Sequence, residues 1–230
     1  MVSTQTQKPV PAIHQGTRQV VYGDNNYPAN LEDATAIAMS LWYRGTLRRE
    51  DRVAVAIVGS RECSSEGKKR AFKLAHQLAA EGVTVVSGLA LGVDAAAHRG
   101  ALAAGGRTLA VLGTGLNHIY PSIHQELARE IEGSGALLSQ YFPIHKGSRG
   151  GRNFLKRNHV IAALAQVLVA VEGEPRSGTI AAVRAALAQK RPVGLLRSLV
   201  EAQPWAQELI ESGRAFPVES LDDVVGRVSF

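Results

Sequence analysis

The stretch VVSGLALGVDAAAHRGAL (85–102) places two glycines and an acid where an apolar, strand-like run passes into an alanine-rich helix. The run ends at Ser87 and Gly88, Gly92 follows four residues later, and Asp94 is predicted to be the N-cap of the helix. Glycines at such a junction allow another group to come close to the backbone. The stretch therefore predicts a strand–helix unit of a parallel sheet and raises the question of what approaches its turn.

Apolar runs and amphipathic stretches alternate along most of the remaining chain. An uninterrupted apolar run such as VAVAIV (53–58) is typical of a strand that is buried on both faces of a parallel sheet. Strands are predicted over 53–58, 83–86, 108–112, 136–139, 167–171 and 192–196, and helices over 67–82, 95–104, 122–133, 158–165 and 177–190. This alternation predicts an α/β fold with a doubly wound, mostly parallel sheet and right-handed crossovers.

The two ends of the chain differ in composition from this central region. Residues 1–20 are polar, contain two prolines and lack the pattern of a secretion signal, so they are predicted to form a flexible arm. Residues 21–230 are predicted to form one domain, with a helical lead-in over 21–50 and a helical C-terminal tail over 200–230. Helices are predicted in these parts over 26–45, 205–212 and 220–227, and Asn30 is the predicted N-cap of the first.

The composition narrows the classes of partner and location. The formal net charge of +6 and the pI of about 9.7 favour an anionic partner, usually nucleic acid or phosphate. A single cysteine, Cys63, excludes an internal disulfide, and no apolar run approaches the length of a membrane helix, so a cytoplasmic location is expected. The histidines show no metal-ligand spacing, and no metal site is predicted.

Glycine-rich loops follow four of the predicted strands, in GSRECSSEG (59–67), SGLALG (87–92), GTGLNHIYP (113–121) and EGEPRSGT (172–179). The carboxyl ends of parallel strands form the ligand-binding edge of such a sheet, and bare backbone N–H groups there bind anions. The predicted phosphate-binding residues are Gly59, Ser60, Arg61, Ser87, Gly88, Gly92, Asp94, Gly113, Thr114, Gly115, Arg176, Ser177, Gly178 and Thr179. The alternative is that these glycines only form tight turns.

The segment QYFPIHKGSRGGRNFLKRNHV (140–160) is strongly basic, and no acidic residue occurs from Gly133 to Val171. Aromatic residues lie among its cations, as in grooves that track a nucleic-acid backbone and stack its bases. It is predicted to be a DNA-binding loop over 140–157, with the cations Lys146, Arg149, Arg152, Lys156 and Arg157 and the aromatics Tyr141, Phe142 and Phe154. The alternative is a solvated loop whose aromatics anchor it to the core.

Signals for a catalytic site or a nucleotide cofactor are weak. The first turn lacks the G-x-G-x-x-G pattern, an acid is missing after the second strand, and no P-loop is present, so no cofactor is predicted. His98 lies four residues after Asp94, on the same helix face, and is interpreted as a structural histidine rather than a general base. Glu172 is a lone acid that could orient Arg176. The chain is therefore not predicted to be an enzyme.

Taken in order, these motifs resemble the DNA-processing protein A family (DprA, also called Smf). The resemblance covers about 22–225 and is carried by NYPANL, VAIVGSR, the quoted stretch 85–102, TLAVLGTGLNHIYP, NFLKRNHVIAAL and VEGEPRSGT. It implies an extended Rossmann-like fold without a nucleotide cofactor, and a homodimer that binds single-stranded DNA and helps to load a RecA-type recombinase during transformation. By the same resemblance, phosphates and bases contact Phe154, Lys156, Arg157 and Asn158. No winged-helix domain is predicted within these 230 residues.

Two other functions stay open at this point. One is a sensor that holds a nucleotide in the same pocket. The other is a phosphoribohydrolase-like enzyme acting on nucleoside monophosphates, whose motif this chain matches only at Gly178 and Thr179, with Ala182 where the catalytic glutamate would lie. A methyl group cannot replace a carboxylate that transfers protons.

Overall fold

The computed structural model describes residues 12–32, 34, 39–148 and 151–230, and its strands join into one sheet. The strands are β1 (Arg18–Val21), β2 (Ser40–Gly45), β3 (Ala54–Val58), β4 (Thr84–Ser87), β5 (Thr108–Val111), β6 (Ala136–Ser139), β7 (Val167–Ala170), β8 (Val193–Leu196) and β9 (Phe216–Val218). Their order in the sheet is β1-β2-β6-β5-β4-β3-β7-β8-β9. The strands from β6 to β9 in this order are parallel, whereas β2 pairs antiparallel with both β1 and β6. The predicted mostly parallel sheet is confirmed.

Helices cover both faces of the sheet. They are α1 (Ala29–Glu32), α2 (Ser65–Ala80), α3 (Val93–Ala103), α4 (Gln125–Ser134), α5 (Arg152–Leu164), α6 (Gly178–Ala188), α7 (Arg197–Ala202), α8 (Pro204–Glu211) and α9 (Asp222–Val225). The interior strand β3 is buried along its whole length, and its side chains alternate between the two layers. Val55 and Ile57 pack with α2 and α3, whereas Ala54, Ala56 and Val58 pack with α5 and α6. This arrangement is a doubly wound fold.

The strand order reverses next to β3. From β3 the chain proceeds outward through β4, β5 and β6 on one side, and through β7, β8 and β9 on the other. The loops that leave the carboxyl ends of β3 and β7 therefore diverge, which opens a crevice between them. Ligands of open α/β sheets bind at such a switch point.

The N-terminal part of the chain corrects two predictions. The helix predicted over 26–45 is wrong, because Ser40–Gly45 form strand β2 and, of the residues described there, Ala29–Glu32 alone are helical. Asn30 does not cap a helix; its side-chain amide donates to the carbonyl oxygens of Arg52 and Leu164. The predicted flexible arm also ends earlier than residue 20, because Arg18–Val21 form edge strand β1, while residues 1–11 lie outside the described part.

The C-terminal tail is not purely helical. The predicted helix over 205–212 is present as α8, and the one over 220–227 is shortened to Asp222–Val225. Between them, Phe216–Val218 form the edge strand β9, which pairs in parallel with β8. The tail therefore extends the sheet by one strand. Within the described ranges, no helix is long and apolar enough to cross a membrane.

Candidate nucleic-acid interface

A cavity of about 610 Å³ lies at the switch point between β3 and β7. The turn after β3, the first turns of α5 and the start of α6 form its walls. Of the predicted site residues, the cavity is lined by Gly59, Ser60, Arg61, Asp94, Phe154, Arg157, Asn158, Ser177, Gly178 and Thr179. The structure thus brings together residues from four separate segments of the chain.

The side chain of Arg157 is a cation buried in the wall of this cavity. Only 4% of the residue is exposed, and its Nη1 donates to the carbonyl oxygen of Val111 at 2.7 Å. Its Nε is buried and has no hydrogen-bond partner among the described residues, and none of the ion pairs found there includes Arg157. Burial lowers the pKa of Arg157, whereas the nearby charge of Asp94 raises it. A buried guanidinium with spare donors favours an anionic ligand.

Gly88 provides the space that Arg157 occupies. A Cβ added at Gly88 would lie within 2.6 Å of Nη1, Cζ and Nη2 of Arg157. Two other edge glycines also face side chains: a Cβ at Gly59 would meet Val93, and one at Gly113 would meet the ring of Phe154, each at 2.5 Å. The groups that approach these turns are therefore the side chains of the protein itself.

Asp94 is not the N-cap of α3, so that prediction is wrong. The helix begins at Val93 and the N-cap is Gly92, whose φ of +75° suits a residue without a side chain. The Asp94 carboxylate is buried, and its Oδ2 accepts from the backbone N–H groups of Gly88 at 3.2 Å and Ala90 at 3.3 Å. Burial raises the pKa of Asp94, and the charge of Arg157 partly offsets that effect.

Several groups expected to bind phosphate are therefore already engaged inside the protein. The N–H of Ser60 donates to the carbonyl of Glu172 at 2.9 Å, and the hydroxyl of Ser87 donates to the carbonyl of Ile57 at 2.7 Å. Together with the Gly88 N–H bound by Asp94, these bonds occupy part of the expected cradle of polar groups. The cationic side chains of Arg61 and Arg157 lie in the same wall.

The third glycine turn does not line the cavity. The Thr114 hydroxyl donates to the carbonyl of His118 at 2.5 Å, and the N–H of Gly115 donates to the carbonyl of His145 at 2.7 Å. A Cβ at Gly115 would collide with the backbone of the segment at Phe142. The turn over 113–115 is therefore a packing surface for the segment after β6.

The turn before α6 forms the far wall. The N-cap is Ser177, whose hydroxyl is buried without a hydrogen-bond partner in the described residues. The hydroxyl of Thr179 donates to the carbonyl of Glu172 at 3.2 Å, and the Asn158 amide donates to the carbonyl of Gly178 at 3.3 Å. Glu172 does not orient Arg176, because its carboxylate accepts from the N–H and hydroxyl of Ser64. Arg176 is exposed and does not line the cavity.

The loop predicted over 140–157 is wrong in its last part, because residues from Arg152 onward are helical. Helix α5 begins at Arg152, six residues before the predicted start. Arg152 and Lys156 are exposed on this helix outside the cavity lining, and Lys146 is exposed in the preceding segment. Arg149 lies outside the described residues. The helix thus places Phe154, Arg157 and Asn158 in the wall and keeps the other two cations outside it.

Only one of the three predicted aromatics reaches the cavity. Tyr141 donates its hydroxyl to the carbonyl of Asn153, and Phe142 packs edge-on against Trp42. Phe154 lines the cavity, with the Arg61 guanidinium over its ring at 5.4 Å and the ring of Tyr120 at 5.4 Å. Sequence reasoning missed Tyr120, although it lies in the quoted motif GTGLNHIYP.

His98 is fully buried and does not line the cavity. The Thr108 hydroxyl donates to the carbonyl of Val85 at 2.8 Å, so Nδ1–H of His98 donates to that hydroxyl oxygen at 2.7 Å. Burial lowers the pKa of His98 to about 3, which keeps the ring neutral. These contacts describe a structural histidine rather than a general base.

The fold is a Rossmann-like α/β domain whose switch-point cavity has a buried guanidinium in its wall. The model of the DNA recombination-mediator protein A family matches residues 18–229. The chain therefore belongs to this family, as the sequence motifs predicted.

Curated relatives support the same assignment. The chain is 37% identical over 209 residues to the DNA processing protein DprA of Streptococcus pneumoniae, covering 90% of this chain and 73% of that protein. It is 40% identical over 161 residues to the protein Smf of Synechocystis, and the match covers 68% of this chain and 40% of that protein. It is 37% identical over 183 residues to the protein Smf of Escherichia coli, and the match covers 79% of this chain and 48% of that protein. For two of these three relatives, the chain spans less than half of the length.

Two solved structures share the fold over most of the chain. The X-ray structure of DprA from S. pneumoniae has a TM-score of 0.83 at 33% identity and covers 94% of this chain and 76% of its own. DNA processing protein A from Helicobacter pylori has a TM-score of 0.79 at 27% identity, and the match covers 91% of this chain and 94% of that chain. The latter structure is described as giving insight into that protein's single-stranded DNA binding mode.

Proposed function

We propose that this chain binds single-stranded DNA and takes a backbone phosphate in the cavity beside Arg157. The observation that carries the proposal is the buried guanidinium, which has spare donors and no ion-pair partner in the described residues. Arg61 adds a second cation at the same wall. Phosphate contacts supply most of the affinity of proteins that bind nucleic acid without sequence preference.

The biological role proposed for this binding is to protect incoming single strands and to help load a RecA-type recombinase. Family membership supports this role, since the family is described as a mediator of recombination. The proposed pairing of two copies of the chain rests on family membership as well. The phosphoribohydrolase-like alternative is disfavoured, because Ala182 lies in the cavity wall where such an enzyme would need its glutamate.

The test is the affinity for labelled oligo-dT measured over a range of salt concentrations. Neutralisation of four or five phosphates gives a log–log slope of roughly −3, at about −0.7 per phosphate of a single strand. Arg61→Ala should weaken binding and flatten the slope by about 0.7, because one phosphate contact is lost. Lys156→Ala tests whether the exposed cation of α5 also contacts the backbone.

The matched control is Arg49→Ala. Arg49 is, like Arg61, an exposed arginine, but it precedes β3 and lies at the opposite, amino edge of the sheet. It should leave the affinity and the salt slope unchanged. If Arg61→Ala and Lys156→Ala both keep the wild-type affinity and salt slope, the proposed DNA-binding surface at the cavity is wrong. Saturable binding of a mononucleotide without dependence on DNA length would favour the sensor, and release of free base would favour the enzyme.

A further inference from the structure

Tyr120 is an exposed aromatic ring at the rim of the cavity. Its exposed fraction is 53%, although its ring lies 5.4 Å from that of Phe154. Two more large apolar side chains are exposed around the same opening, Leu91 at 44% and Leu155 at 50%. Single exposed apolar residues are common on proteins, but a group of them beside a cationic cavity marks a binding surface.

A second, smaller hollow lies below this rim. Its volume is about 40 Å³, against about 610 Å³ for the main cavity, and it shares Arg61, Phe154, Arg157 and Tyr120 with that cavity. Leu91 and Pro121 also line it. The exposed ring of Tyr120 therefore borders both hollows and is available to an apolar ring outside them.

The opposite flank of the cavity is unsuitable for a polyanion. A third hollow adjoins the main cavity at Ser60 and Glu62, and its lining includes Glu172 and Glu174. Arg70 is the only cation of that lining within the described residues. Carboxylates repel phosphates, so a bound strand leaves the cavity more favourably over the side of Tyr120.

We infer that Tyr120 is a base-stacking residue, which holds one unstacked nucleobase of a strand whose neighbouring phosphate lies against Arg61 and Arg157. This inference rests on the proposed function and adds a base-contacting subsite to it. Phe154 takes a different role, because its ring already carries the Arg61 guanidinium and packs against Gly113. Phe154 is the support for the phosphate-binding cation, and Tyr120 presents the exposed aromatic surface. Stacking is tolerant of base identity, since every base has a π face.

The experiment compares oligo-dT with an abasic oligomer of the same length, which keeps the phosphates and lacks the bases. Wild-type protein should bind oligo-dT more tightly than the abasic oligomer. Tyr120→Ala should weaken oligo-dT binding by roughly 5- to 100-fold, the range for loss of one stacked base, and leave abasic binding and the salt slope unchanged. Tyr120→Phe should keep the wild-type affinity, because stacking needs the ring and not the hydroxyl.

The control is Tyr22→Ala, which removes an equally exposed tyrosine (56%) that follows the edge strand β1, five strands from β3. It should leave oligo-dT binding unchanged. A second readout uses the wild-type chain and an oligomer containing 2-aminopurine, whose fluorescence is quenched when the base stacks.

The outcomes separate the two hypotheses. If the wild-type chain binds neither oligomer, the proposed function fails. If it binds oligo-dT and Tyr120→Ala binds equally well, or if 2-aminopurine is not quenched at any position, the stacking inference alone is overturned. If Tyr120→Ala does not fold, the quenching result decides.

Discussion

Gly88→Ala is the most specific test of how the cavity is built. The backbone of Gly88 does not adopt a positive φ, so alanine causes no conformational strain there. The added methyl would overlap the guanidinium of Arg157, which then has to move away from the carbonyl of Val111. The substitution thus displaces the buried cation without altering its chemistry.

The size of the effect follows from the bonds that are lost. A hydrogen bond that involves a charged group contributes about 1.5–3 kcal/mol, and overpacking a core site costs about 1–3 kcal/mol. We therefore expect the free energy of unfolding to fall by about 1–3 kcal/mol. If Arg157 binds a phosphate, its displacement should weaken oligo-dT binding by roughly 10- to 100-fold, at about 1.4 kcal/mol per factor of ten.

The assay is a double-mutant cycle read by fluorescence anisotropy with labelled oligo-dT. Because the methyl acts through Arg157, adding Gly88→Ala to Arg157→Ala should cause no further loss of affinity. The control Gly133→Ala adds a methyl to helix α4, where nothing lies within 4 Å, and should leave binding intact. The reasoning is refuted if Gly88→Ala binds DNA like the wild type, or if the two substitutions weaken binding independently.

Two further predictions concern ionisable groups near the cavity. Asp94→Asn removes the negative neighbour of Arg157, so DNA affinity at neutral pH should rise by roughly fivefold, about 1 kcal/mol of repulsion. Burial raises the pKa of Asp94, so the DNA affinity of the wild type should also rise as the pH falls through that pKa. The prediction is contradicted if Asp94→Asn has the wild-type affinity and the wild-type dependence of affinity on pH. The pKa of His98 is lowered from 6.5 to about 3, so its contribution to stability is complete above pH 6.5 and decreases toward pH 3 by up to about 1.4 kcal/mol per pH unit. His98→Asn keeps a donor near the position of Nδ1 and should reduce the loss of unfolding free energy at low pH, measured by urea titrations at successive pH values. An unchanged loss in this variant would show that His98 is not its cause.

The parallel core was predictable from sequence because burial on both faces requires continuous apolar runs. Strand β3 illustrates this, since each of its residues from Ala54 to Val58 is buried. The region over 26–45 was not predictable in the same way. Its apolar spacing fits a helix, whereas Ser40–Gly45 become a strand through pairing with β1 and with β6, which is distant along the chain. Local pattern does not report such long-range pairing.

The sequence predicted which turns follow the strands at this edge of the sheet, but not which groups fill the space beside them. A glycine in a turn shows that space is needed, yet it does not show which group fills the space. At Gly88 and Gly113 that group is a side chain of α5, which follows both turns at long range in the sequence. Tyr120 escaped prediction for a related reason, because only the fold shows that its ring stays exposed beside Phe154.

The buried guanidinium of Arg157, which forms no ion pair in the described residues, couples DNA binding to the stability of the fold. Keeping a cation away from water without a bonded counterpart weakens a native structure, and an arriving phosphate supplies what the interior lacks. Melting temperature should therefore climb as oligonucleotide is added, and the gain should shrink when a neutral side chain replaces this arginine. In a cell, DNA-bound molecules would then be degraded by proteases more slowly than free ones.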